Sequence, residues 1–143
     1  MQKVRGMVSS KEKVTRKGIA LILNGIKNFE IVGRDSSDIL QEAFEIQPDF
    51  ILFELNGADV QEYEEILHQL RINCSWTKII LYSCNNLNIQ KINKFSQLCD
   101  GYIQGPLMPG FLQKAIELVC YSGRFFFLGA PKDLEVFANN GQA

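Results

Sequence analysis

The chain lacks a dominant charge, a cysteine pair and a long apolar run, and each absence removes a class of function. Its 143 residues carry 15 Lys+Arg against 16 Asp+Glu, a formal net charge of -1. That balance supplies no electrostatic reason for non-specific binding to nucleic acid or to an anionic membrane. The four cysteines, Cys74, Cys84, Cys99 and Cys120, form no C-x-x-C, and no histidine stands near them at metal-ligand spacing. Free thiols in a reducing cytosol are expected, and no metal site. No window approaches the roughly 20 apolar residues of a membrane span, and Lys3 and Arg5 are not followed by the apolar segment of a signal peptide. The expectation is a soluble, cytoplasmic protein. The one histidine, His68, has no nucleophile or carboxylate at a fixed spacing and reads as a surface residue. No Gly-rich loop follows the first strand-like segment to cradle a phosphate, so no cofactor is expected. There is no basic recognition helix, and no internal repeat or low-complexity linker.

What is present is concentrated in Pro48-Asp49-Phe50-Ile51-Leu52-Phe53-Glu54. Pro48 biases the residue before it away from helical angles. Phe50 to Phe53 is a short, wholly apolar run bounded by turn signals, the pattern of a strand buried on both faces of a parallel sheet. Glu54 then places a lone carboxylate at the carboxyl end of that strand, where open α/β sheets gather ligands and chemistry.

Similar segments surround it. Val4 to Val8 reads as a weak strand interrupted by Gly6. Lys11 to Ile26 reads as a helix with Val14, Ile19, Ile22, Leu23 and Ile26 on its buried face, and Gly18 lowers its propensity by about 1 kcal/mol against Ala. Phe29 to Val32 is a strand. Asp35, Ser36 and Ser37 are N-cap candidates for a helix through Ile46 with Leu40, Ala43 and Phe44 inward. Asn56-Gly57 turns the chain into a helix that buries Val60, Tyr63, Ile66, Leu67 and Leu70 and leaves Glu62, Glu64 and Glu65 outside. Lys78 to Ser83 is another apolar strand. Asn85 or Asn86 caps a polar helix from about Leu87 to Gln97, on which Lys91 and Lys94 are solvated or form a contact face. Gly101 to Gln104 is a short strand. Pro109 to Tyr121 is a helix burying Leu112, Ala115, Ile116 and Val119, with proline in its first turn and Gly123 ending it. Phe125-Phe126-Phe127 either cover the core or mark a contact surface, with burial of one or two the safer expectation. The tail forms at most one short helix around Asp133 to Ala138. The result is β-α repeated five times, hence a parallel sheet covered by helices on both faces with right-handed crossovers.

Several of these segments together resemble a response-regulator receiver domain, CheY-like and closest to the NarL type. The resemblance covers roughly Val4 to Gly123. It rests on Arg16-Lys17-Gly18, Phe29-Glu30-Ile31-Val32-Gly33, Pro48-Asp49 with its four apolar residues, Lys78-Ile79-Ile80-Leu81-Tyr82-Ser83, and Gly101-Tyr102-Ile103. It implies a three-layer flavodoxin-like (βα)5 fold with a five-stranded parallel sheet in the order 2-1-3-4-5. It also implies a receiver-like domain over 1–123, with 124–143 a tail or linker toward an output domain outside this chain. The resemblance aligns the phosphoacceptor with Glu54, the acidic pocket with Ser9, Ser10 and Lys11, the switch hydroxyl and aromatic with Ser83 and Tyr102, and the phosphoryl-contacting lysine with Gly105, followed by Pro106. A cis Gly105-Pro106 bond is compatible with that pair.

The substitutions change the chemistry. Mg²⁺ is held by carboxylates and water, and Glu54 is the one acid among the aligned positions. Gly105 removes a neutralising cation. No Mg²⁺-dependent autophosphorylation and no catalytic residue are therefore expected. Two readings of Glu54 stand: an ion pair with Lys11 that replaces metal and phosphate and holds Ser83 and Tyr102 in place, or a merely solvated side chain with Lys11 in water. Cys84, beside the pocket, is expected to be inert. The function expected is a degenerate pseudo-receiver: a phosphorylation-independent regulatory interaction domain, part of a transcription regulator. It would dock a protein partner or a second copy through the fourth helix, fifth strand and fifth helix, about Leu87 to Tyr121, and meet DNA only through a separate helix-turn-helix. The alternatives are a stand-alone protein-interaction adaptor and a small binder of flavin or phosphate, to which Ser9-Ser10 offers a weak anion contact. A phosphorylatable receiver using Glu54 is the least favoured reading.

Overall fold

The computed structural model describes residues 3–32, 38–55, 60–83, 89–105, 108–122 and 125–127, without the side chains of 60–61, 89–92, 109, 122 and 125–127. The expected roles of Asp35 to Ser37, Asn56-Gly57, Cys84, Asn85, Asn86, Pro106 with its peptide bond, and the tail beyond 127 lie outside those residues. So do the side chains of Val60, Lys91 and Phe125 to Phe127.

Strands and helices alternate in the order β1 (Val4–Ser9), α1 (Lys13–Asn24), β2 (Phe29–Ile31), α2 (Ile39–Ile46), β3 (Phe50–Glu54), α3 (Val60–Asn73), β4 (Lys78–Ser83), α4 (Ile89–Ser96), β5 (Gly101–Gln104), α5 (Pro109–Ser122) and β6 (Phe125–Phe127). All pairings are parallel, and the sheet order is β2-β1-β3-β4-β5-β6. The five-stranded 2-1-3-4-5 arrangement is thus present, and β6 extends it along the outer edge of β5, with Tyr102 opposite Phe126.

Alternation along β3 divides the core. Phe50 and Leu52 join Ile19 and Leu23 of α1 and Leu112, Ile116 and Val119 of α5 on one face. Ile51 and Phe53 join Ala43 of α2, Tyr63, Leu67 and Leu70 of α3, and Phe95 of α4 on the other. β3 is buried along its whole length because both faces are covered.

Gly6 is required where it stands. A Cβ there would lie 2.1 Å from Cζ of Phe50, whose ring is fully buried, and the two residues are register partners on β1 and β3. The glycine that weakens the strand locally is the space into which the neighbouring ring packs.

Two helix phases differ from expectation. Val14 is 84% exposed, because α1 begins at Lys13 and docks through Ile19 and Leu23, which leaves Val14 on the outer side. Phe44 is 55% exposed while Glu42 is buried: α2 turns Ala43 inward and carries Glu42 toward the carboxyl end of the sheet. Its cap is Asp38, whose Oδ1 accepts from the Gln41 N–H.

At the amino end of the sheet, Asp100 Oδ2 accepts from Arg71 Nη2 at 2.7 Å and from the Ile79 N–H at 2.9 Å, while Arg71 Nε donates to the Leu98 carbonyl. This clamp ties α3 to β4 and to the turn after α4. Lys94 lies 2.8 Å from the Glu64 carboxylate, an α4–α3 ion pair. Lys94 is therefore engaged within the chain, and Glu64 is half-buried rather than outside.

Candidate functional site

The carboxyl ends of β1 and β3 bring Ser9, Ser10, Lys11 and Glu54 to one place, the rim of a cleft of ≈ 770 Å³ that reaches past α1 to Ile31, Ile39 and Glu42. Glu54 is 9% exposed, and its Oε1 accepts from the Ser10 hydroxyl at 2.9 Å. Ser10 is itself saturated. Its Oγ accepts from the Glu12 N–H, and its carbonyl accepts from Arg16 Nη1. A short hydroxyl at the end of β1 thus caps the carboxylate, and the turn into α1 holds that hydroxyl in place. These bonds tie Ser10 to Glu54, Glu12 and Arg16 within the chain.

Lys11 does not pair with Glu54. Its Nζ lies 3.6 Å from Glu62 Oε2 and 5.2 Å above the Tyr63 ring. The loop cation thus leans on α3, where a carboxylate and an aromatic face attract it together. Both charges of the Lys11–Glu62 pair are about half exposed, so the pair itself contributes at most about 1 kcal/mol.

The residues present do not fit Mg²⁺. Among the described residues no group of three His, Cys, Asp or Glu is placed to hold a metal, the carboxylate at the centre is occupied by a serine, and the next residue of the loop is a cation. At the lysine-aligned position Gly105 adopts φ 107°, and its N–H donates to the Ser83 carbonyl. A lysine there would be strained by about 1–2 kcal/mol.

Ser83 and Tyr102 form a second polar group. Both are buried, and they share the sheet face of Ile79 and Leu81, whereas Glu54 continues the alternation of Phe50 and Leu52. The Tyr102 phenol donates to Gln104 Oε1 at 2.9 Å and is hydrogen-bonded with Ser83. Burial pushes it up from its ordinary 10.0 to about 12, with Ser83 opposing and nearby Cys99 adding to the shift. Folding thus favours the protonated phenol, and the folded state holds more protons than the unfolded chain between those values. Stability is expected to fall as pH rises from about 10 to about 12, and Tyr102→Phe is expected to flatten that decline in chemical denaturation series. Gln104 was not singled out from the sequence. The available signal is its position two residues after Tyr102 on a fully buried strand, where a polar side chain needs a partner.

Cys74 and Cys99 are buried and Cys120 is partly buried, and these three form no disulfide. Burial first, then Asp49, pushes Cys120 up to about 11, so it stays protonated and unreactive near neutrality. His68 is exposed. No described helix is long and apolar enough to cross a membrane.

No family model and no curated protein matches the sequence. The folded chain does have relatives in shape. A LuxR-family two-component response regulator from Aurantimonas sp. SI85-9A1 superposes with a TM-score of 0.75 at 18% identity, covering 99% of this chain and 100% of the other. The fold is that of the response-regulator receiver. The isolated REC domain of RcsB from Salmonella enterica serovar Typhimurium, solved with the phosphomimetic BeF3-, gives 0.73 at 17% identity over 88% and 94% of the two chains. The receiver domain of a NarL response regulator from Mycobacterium tuberculosis gives 0.71 at 22% identity over 87% and 100%. Within this receiver fold Glu54 and Ser83 close β3 and β4 and Tyr102 lies within β5, and the Ser10–Glu54 and Tyr102–Gln104 bonds are those of this chain.

Proposed function

We propose that this receiver fold acts as a regulatory interaction domain that works without phosphoryl transfer, as part of a transcription regulator. The observation that carries the reading is the Ser10–Glu54 hydrogen bond of 2.9 Å. Phosphoryl transfer requires a free, metal-assisted carboxylate and nearby cations. Here the carboxylate is capped by a hydroxyl, the loop lysine is drawn to α3, and the lysine-aligned position is a glycine at a positive φ that a lysine would adopt only with strain.

Docking would use α4, α5 and the β5 side of the sheet. β6 lies along β5, so the surface offered to a protein partner or a second copy consists of α4, α5 and β6 rather than a bare β5 edge. The RcsB structure described as two dimers bound to two parallel DNAs is matched over 65% of its length by 88% of this chain, which supports an output domain beyond the receiver as the DNA-contacting part. In that arrangement the receiver-like unit is 1–123 with β6 added to its sheet, and the remainder of 124–143 leads toward the output domain.

The test is incubation of the purified protein with a small phosphodonor and Mg²⁺, followed by intact mass. The expected result is no gain for the wild type and none for Gly105→Lys. A retained phosphoryl group on residue 54 overturns the reading.

A further inference from the structure

We infer that Gln104 is a positioning residue that latches the Tyr102 ring inside the layer between the sheet and α4. The inference deepens the reading above by naming what keeps the α4 side of the domain in one arrangement. Three observations converge on it. Tyr102 is 1% exposed and packs in one cluster with Phe95 and Cys99, at and just after the end of α4. Its phenol donates to Gln104 Oε1 at 2.9 Å, a bond between two buried side chains. Gln104 is the register partner of Ser83 on β4, and Ser83 is hydrogen-bonded with the same phenol.

The physical logic is local. Residues 102 and 104 share one face of β5 because side chains alternate along a strand. A buried phenol without an acceptor is unfavourable, so each hydrogen bond to its hydroxyl favours the inward ring. A neutral amide provides that acceptor with no charge of its own, and the strand pairing to β4 holds the amide in place. Glu54 belongs to the other face and is bonded to Ser10. The latch therefore closes without any input from the Glu54 side, and α4 keeps its contact with Tyr102.

The test follows Tyr102 itself. The full chain is labelled with 3-fluorotyrosine, and the Tyr102 resonance is assigned among the four tyrosines by its loss in Tyr102→Phe. Solvent access is read by relaxation from a dissolved nitroxide. The wild type is expected to show one shielded Tyr102 signal. Gln104→Ala is expected to raise the exposed population about tenfold, the change associated with one lost hydrogen bond. Gln104→Glu, which keeps an acceptor at the same reach, is expected to restore shielding. A folded Gln104→Ala protein with Tyr102 as shielded as in the wild type overturns the latch.

Where Gln104→Ala fails to fold, the double variant with Tyr102→Phe decides. A latch predicts that removing Gln104 has little further effect once the phenol is gone, whereas additive losses overturn it. The two proposals fail separately. A phosphorylated Glu54 with a shielded Tyr102 overturns the phosphoryl-independent reading alone. A wild-type Tyr102 in two exchanging environments, with no mass gain, overturns the latch alone.

Discussion

Gly6→Ala is expected to destabilise the domain by about 3 kcal/mol, the upper end for overpacking a well-filled core. The added Cβ would meet Cζ of Phe50 at 2.1 Å and both adjacent ring carbons at 2.4 and 2.5 Å. The ring is fully buried and packs 6.0 Å from Phe29, centroid to centroid. Movement away from the methyl would therefore disturb β2 as well as β3. Phe50→Leu should cost about 1–2 kcal/mol alone through lost burial and the remaining void. In the double variant the leucine frees the volume that the methyl needs, so the combined loss should be smaller than the sum of the two singles. Urea denaturation of the four proteins checks this, and strict additivity would show that the ring does not set the requirement for glycine.

The second large effect is expected at Asp100. Asp100→Ala should destabilise by about 3 kcal/mol, because it leaves both a half-buried guanidinium and a strand N–H without their acceptor. The Arg71 and Asp100 side chains are 29% and 15% exposed, shielded enough for the pair to exceed an ordinary surface bridge. Arg71→Ala should cost less, since the Ile79 N–H keeps its bond to Asp100. The ordering, Asp100→Ala more harmful than Arg71→Ala, is the measurement that matters. The reverse order would mean that the Arg71 contact to the Leu98 carbonyl outweighs the bonds to Asp100.

The fold was largely legible because its strands are short apolar runs and its helices have clear periods. Phe50 to Glu54 and Lys78 to Ser83 were bounded by local chemistry alone, and their observed limits coincide with those readings. Val14 and Phe44 were misassigned because a period fixes the angle between residues but not the direction of the face, and the docking of α1 and α2 sets that direction. β6 was missed for a related reason. A run of three aromatics has no alternation to read, and its strand character comes from the free edge of β5.

The candidate site was legible in its positions and not in its bonds. Glu54 and Ser83 close β3 and β4, and Tyr102 is the second residue of β5. Which groups they bond to depends on chain segments far apart in sequence. Ser10 reaches Glu54 across 44 residues. Lys11 meets Glu62 and the Tyr63 ring on α3, an element far from it in sequence.

The sequence by itself determined an alternating α/β chain and a β3 buried on both faces. These follow from residue type and local period, which need no partner. Only the tertiary structure decided that Ser10 caps Glu54, that Gln104 holds Tyr102, that Gly6 makes room for Phe50, and that β6 closes the edge of β5. Each of those depends on distance between separate elements, and a contact whose partners are set by packing leaves no periodic trace along the chain.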